Sequence, residues 1–128
     1  MQKTILLVIA GIAGTVGLFV LAMQFGSPSS ADYKAMSGAQ LYSRLCAHCH
    51  GSSGMASNGT GATYRGKREF WDEASMLAYL RDPKGFKKNN PRLNQNKHMP
   101  PISSQVPMEA RKRLVAHVLG MMDNLKNP

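Results

Sequence analysis

The chain has 128 residues, with 16 Lys and Arg against 7 Asp and Glu and a formal net charge of +9. Its first stretch, to about residue 25, differs sharply from the rest, which leaves about 100 residues for a globular part and excludes more than one core. Both cysteines, Cys46 and Cys49, fall in one short motif, which excludes a disulfide framework, and the basic balance comes with no nucleic-acid recognition motif, so nucleic acid is set aside as a partner.

Between Ile5 and Phe25 there is no charged residue, and only Thr15 and Gln24 are polar. As a helix this stretch reaches roughly 32 Å, enough to cross a bilayer. Residues 1–26 are therefore read as a membrane anchor with one N-terminal transmembrane helix over 5–25. A cleaved signal peptide is the competing reading, because Lys3 supplies a positive start and Ser29-Ser30-Ala31 offers small residues; the apolar run is longer than the usual 7–15 or so residues of such a segment. Lys3 on the short side favours a cytoplasmic N-terminus, which places the remainder on the outer, periplasmic side of the inner membrane. Ala10 with Gly14, and Ala13 with Gly17, make small-residue pairs that would admit a second transmembrane helix, although ordinary composition produces them as readily.

The turn-rich stretch from Gly26 to Asp32 reads as a linker, giving a map of 27–35 linker and 36–128 globular domain. A flexible chain of that length spans about 13–16 Å, so an anchored domain stays near the bilayer and meets neighbours at high effective concentration. From Ser37 to Cys49 a helix is predicted, capped by Ser37 and ended by Gly51, because Leu41, Tyr42, Leu45 and Cys49 recur at three- and four-residue steps. Residues 51–61, rich in Gly, Ser and Asn, read as a loop. A second helix is predicted over Glu69–Arg81, with Phe70, Ala74, Leu77, Ala78 and Arg81 along one side and Pro83 beyond its end. Prolines at 83, 91, 100, 101 and 107 make Asp82–Pro107 a loop folded over something. Pro107 suits the first turn of a last helix, with Leu114, Val118, Met121 or Met122, and Leu125 as its apolar stripe. No alternating strand pattern is evident. The expected fold class is all-α, with three or more short helices that would bury little core without a large apolar ligand at the centre.

Cys46-Ala47-His48-Cys49-His50 is a C-x-x-C-H sequence. Two thiols one helical turn apart can bond to the two vinyl groups of a haem while the next residue offers an imidazole to the iron. On this reading Cys46 and Cys49 attach the haem covalently, His50 is the proximal iron ligand, and His48 is a spacer between the thiols. A structural zinc site would need four ligands at recognisable spacing, and distant His98 or His117 is no second pair. A thioredoxin-like dithiol would need a strand and helix context that is missing.

Through the helix ending in Cys46-Ala47-His48-Cys49-His50-Gly51, the segment Met99-Pro100-Pro101 and the terminal helix around Leu114–Leu119, the chain resembles the class I cytochrome c family over about residues 36–125. The resemblance implies a cytochrome c-like domain around one covalently bound haem c, with Met99 as the distal, sixth ligand. A thioether is a soft ligand for haem iron and raises the reduction potential relative to a second histidine. Met55, Met108 and His98 are the rival ligands, and core filler is the alternative use of Met99. Two positions depart from the family. Gly61-Ala62-Thr63-Tyr64 stands where a proline often supplies the carbonyl that accepts the proton of the proximal histidine. His117 replaces a common aromatic, and it is read as packing against the first helix. Trp71 and Tyr64 are expected as core or haem-wall residues.

The expected function is transfer of single electrons between membrane redox complexes, as an anchored carrier or as a subunit of a respiratory complex, with no catalytic residues and no small-molecule substrate of its own. A haem enzyme or gas sensor with a displaceable sixth ligand is the alternative from another class, and a zinc-stabilised interaction module is a further one. Lys84, Lys87, Lys88, Arg92 and Lys97, with no acid among them, form either a solvated face or a docking patch for an acidic-surfaced redox partner.

Overall fold

The computed structural model describes residues 27–57, 59–93 and 99–126. The expected transmembrane helix over 5–25, its small-residue pairs, Lys97 and His98 lie outside the described residues. Among the described residues no helix is long and apolar enough to cross a membrane.

Six helices and no strand occur among the described residues: α1 (Ser30–Ala35), α2 (Gly38–Leu45), α3 (Ala47–His50), α4 (Glu73–Arg81), α5 (Pro83–Lys88) and α6 (Met108–Asn124), with a single 3₁₀ turn at Arg68–Phe70. The all-α expectation holds. The linker assigned to 27–35 does not hold over its second half, because Ser29 caps α1 through a reciprocal box with Asp32. Tyr33 is buried. The Arg113 guanidinium on α6 donates to the backbone oxygens of Met36 at 3.1 Å, Tyr33 at 3.4 Å and Lys34 at 2.8 Å, tying the end of α1 to α6.

Ser37 caps α2 as expected, again with a reciprocal box, here to Gln40. The helix does not run unbroken to Cys49: Cys46 adopts φ −122° and ψ −38°, and α3 restarts at Ala47. Gly51 then ends α3 with φ +74°, a conformation that glycine adopts without penalty. α2 lies across α6, burying Leu41 and Tyr42 against Leu114, Val115 and Val118. Gly38 is where the two helices come closest, since a Cβ there would collide with the Arg113 backbone oxygen and lie 2.9 Å from the His117 Cβ. His117 packs beside the Tyr42 ring, centroids 5.6 Å apart, which agrees with its expected packing role.

The predicted Glu69 start of the second helix is too early. Asp72 accepts from the Ser75 backbone N–H at 2.7 Å and its own N–H is met by the Ser75 hydroxyl, so α4 begins at Glu73. The buried face of α4 is Met76 and Leu80, with Leu77 of the predicted stripe packed against the core and Ala78 half-buried, while Phe70 is about half exposed and Ala74 and Arg81 are exposed, so the stripe read from the sequence was displaced from the buried face. Pro83 both follows α4 and opens α5, whose first turn is capped by the Asp82 carboxylate on the Gly85 N–H at 3.0 Å. The loop expected over 82–107 thus contains a helix. Its return path is tied to α4 by the Ile102 N–H on the Leu80 carbonyl at 2.9 Å, and to α6 by Arg111 donating to the carbonyls of Val106 and Ser103. Along α6 the buried residues are Ala110, Leu114, Val115, Val118 and Met122, a helical stripe that includes most of the one predicted.

Replacing Gly38 with valine should force α2 and α6 apart and lower stability by about 1–3 kcal/mol. The check is urea unfolding, where the midpoint should fall with the slope unchanged. An unmoved midpoint would mean that the crossing tolerates a side chain.

Candidate cofactor cavity

An apolar cavity of about 490 Å³ lies between the α2–α3 junction, the 60–64 loop, α4, α6 and the Met99-Pro100 segment. That volume falls within the roughly 300–1,000 Å³ of ordinary ligand and cofactor sites. Cys46, Cys49, His50 and Met99 all line it, although about fifty residues separate His50 from Met99 along the chain. Of the rival ligands, Met55 and Met108 do not line it, and Met108 is 53% exposed at the start of α6. Met76 and Met122 do line it, from the buried faces of α4 and α6. Met76 was not singled out in the sequence because its helix face was misassigned.

The proximal wall is built by bringing the 59–62 loop hard against the end of α3. The Gly61 N–H donates to the Cys49 carbonyl at 2.8 Å, and the Ala56 N–H to the His50 carbonyl at 2.9 Å. A Cβ on Gly61 would sit 2.7 Å from the Cys49 oxygen and 2.8 Å from His50 Nδ1, so only glycine permits this approach. The approach places the Ala62 carbonyl 2.9 Å from His50 Nδ1. A carbonyl can only accept, so Nδ1 carries the proton and Nε2 keeps the lone pair. The departure from the family noted at residues 61–64 therefore leaves the hydrogen bond in place, with alanine supplying the oxygen. Tyr64 stacks on the His50 imidazole, centroids 4.9 Å apart, and Trp71 and Tyr79 line the cavity beyond it. Tyr64 and Trp71 are thus wall residues, as expected.

Burial pushes the Cys46 thiol up to about 11, with the nearby Cys49 charge adding to the rise. A dithiol redox pair works through a lowered thiol, so the environment of Cys46 is the opposite of what that chemistry needs. Among the described residues no three His, Cys, Asp or Glu side chains gather as a metal cluster. Two thiols one turn apart, an imidazole held in one tautomer, and a thioether around an apolar hollow are a donor set suited to an iron porphyrin.

The basic stretch needs one correction. Lys84, Lys88 and Arg92 are exposed, but Lys87 is only 8% exposed and lines the cavity, as does one side of Arg92. The reason is helical: Lys87 lies four residues after buried Pro83 on α5, so both fall on the face turned inward. Read as a loop, the stretch offered no such phase.

Residues 34–118, more than half of the chain, match the family described as cytochrome C oxidase, cbb3-type, subunit III. The chain belongs to that family, a class I monohaem c-type cytochrome domain, and its cofactor is covalently bound haem c. No curated protein and no solved structure matches it.

Gly61→Val should push the loop off α3 and weaken the His50 hydrogen bond. The Nδ1 proton, followed by nitrogen-15 NMR of histidine-labelled protein, should then exchange with water about threefold to tenfold faster, the equivalent of a bond contributing about 1 kcal/mol. An unchanged exchange rate would show that Ala62 does not hold the ring.

Proposed function

We propose that this cytochrome domain passes single electrons, with Cys46 and Cys49 as the thioether attachment points, His50 as proximal ligand and Met99 as distal ligand. The observation that carries the reading is the convergence of these four residues on one cavity, with His50 already fixed by Ala62. The haem supplies a one-electron iron couple of the kind that electron carriers use. The chain's own residues supply the rest. The two thiols retain the group through changes of redox state. The Ala62 carbonyl orients the imidazole and raises its basicity. The Met99 thioether would offer the iron a soft donor opposite in chemistry to the imidazole, and a metal held by both His50 and Met99 would leave no place for a small-molecule substrate. Buried Leu80, Leu114 and Val118 keep water from the cavity wall.

The domain is proposed to stand on the outer side of the inner membrane, held by residues 5–25. Because α1 is clamped to α6 through Arg113, only the residues between Phe25 and Ser29 serve as the tether, shorter than the linker the sequence suggested. A short tether suits a fixed place beside membrane partners, and the family description points to the subunits of a cbb3-type oxidase as candidates. An acidic-surfaced redox protein is the other class of partner, met by the exposed Lys84 and Lys88 on α5.

Optical spectra of the oxidised and reduced protein, with Met99→Ala alongside, test the ligation. The haem should survive acid extraction, and the weak sulfur-to-iron band of the oxidised form should vanish in the variant. A wild-type spectrum without that band would give the sixth position to another group or leave it displaceable, and carbon monoxide binding would then favour the sensor or enzyme reading. For docking, Lys84→Glu with Lys88→Glu should slow electron exchange with an acidic partner about tenfold at low salt and flatten its salt dependence. Stopped-flow rates that match wild type across ionic strength would remove the patch.

A further inference from the structure

Met99 reaches the cavity on a segment of irregular backbone, and Pro100 and Pro101 after it carry no N–H with which to build regular structure. A single thioether on such a segment stays on a metal only while the segment is kept where the sulfur can reach it. The tie on one side is the Ile102 N–H on the Leu80 carbonyl at 2.9 Å. On the other side stands Arg111, half-buried in the first turn of α6. Its Nε donates to the Val106 carbonyl at 2.8 Å and its Nη2 to the Ser103 carbonyl at 3.0 Å, while the Val106 N–H closes the turn on the same Ser103 carbonyl at 3.1 Å. The Val106 side chain is 1% exposed, so the turn is seated in the core as well as gripped by the arginine. One planar guanidinium thus fixes two carbonyls of the turn that follows the Met99 segment. The helix that carries it also gives the cavity Leu114, Val118 and Met122, so wall and turn are set by one rigid element.

We propose that Arg111 is a positioning residue for Met99: by holding the 103–106 turn on α6 it keeps the thioether on the iron and the sixth position shut to small molecules. The inference rests on Met99 as the distal ligand, as read above. The apparent affinity of an outside ligand for an occupied position is its intrinsic affinity multiplied by the fraction of molecules in which that position is open. A grip on the turn lowers that fraction, and so favours an electron carrier over a ligand-binding haem protein. Arg113, two residues along the same helix, is the internal comparison. It too donates to backbone carbonyls, those of Met36, Tyr33 and Lys34, but these belong to the end of α1 and not to the distal segment. If both arginines served stability alone, their losses would act alike; if Arg111 positions Met99, only its loss opens the iron.

The test uses the haem-loaded full chain in its oxidised form, with imidazole as the probe. Arg111→Lys keeps the charge and loses the two-pronged grip, and Arg113→Lys does the same at α1. Imidazole should bind about tenfold more tightly to Arg111→Lys than to wild type, because losing charge-assisted bonds to the turn raises the open fraction about tenfold. In Arg113→Lys the affinity should stay within about twofold of wild type, although urea unfolding should show a lowered midpoint in both variants. By linkage, imidazole bound in place of Met99 weakens the Arg111 grip in return. In wild type with saturating imidazole, the Arg111 Nε proton should then exchange with water about tenfold faster and the Arg113 Nε proton no faster, as followed by nitrogen-15 NMR. That second measurement needs no variant, so it decides the matter should Arg111→Lys fail to fold. Equal imidazole affinities in the two variants would overturn the proposal, and so would an Arg111 Nε proton indifferent to imidazole. Wild-type protein without the sulfur-to-iron band would instead bring down Met99 ligation, and the proposal with it.

Discussion

The site depends on one close approach, that of the 59–62 loop to the end of α3. The Cys49 carbonyl accepts the Gly61 N–H, and one residue on, the Ala62 carbonyl faces His50 Nδ1. Neither contact survives a side chain at Gly61, whose Cβ would fall within 3 Å of both the Cys49 oxygen and the imidazole nitrogen. One backbone approach therefore sets the tautomer of the imidazole, its orientation, and the wall of the cavity beside it.

That approach needs a fixed platform, and the platform is the crossing of α2 and α6. Gly38 lets the two backbones meet, and Leu41, Leu114 and Val115 fill the space around the contact without exposure. From the same helix, the Tyr42 hydroxyl donates to the Gly51 carbonyl at 2.6 Å, tying the residue that ends α3 to the core. Burial pushes the Tyr42 and Tyr64 phenols upward, so both stay neutral donors across the physiological range. The motif from Cys46 to Gly51 is in this way held from two sides, by the helix crossing below and by the glycine-rich loop above.

What was legible in the sequence was what is local. The thiol spacing, the Ser37 cap, the glycine at the end of α3 and the stripe of α6 each depend on residues within a turn or two of one another. Met99 was legible through its family resemblance and its proline neighbours, and it lines the cavity with the motif. What failed depended on phase or on distant contacts. α4 was misread because Asp72 caps it at Glu73, which leaves Phe70, the first residue of the predicted stripe, outside the helix, and the packing turns Met76 and Leu80 inward. α1 was missed because a six-residue helix has little stability alone and draws its hold from Arg113, 77 residues from Met36 in the chain. Lys87 was read as surface because a lysine in a proline-rich stretch carries no sign of burial until Pro83 is seen to open a helix.

In the proposed function these features act on the same quantity from opposite sides. The Ala62 hydrogen bond makes the imidazole a stronger donor, which favours the oxidised metal. The Met99 thioether and the apolar walls favour the reduced one, since a soft ligand and a dry surround disfavour added positive charge. Lys87, which lines the cavity, sits on α5 with the exposed Lys84 and Lys88, so α5 joins the interior of the site to its surface. A partner that draws on Lys84 and Lys88 would press on the element that holds Lys87.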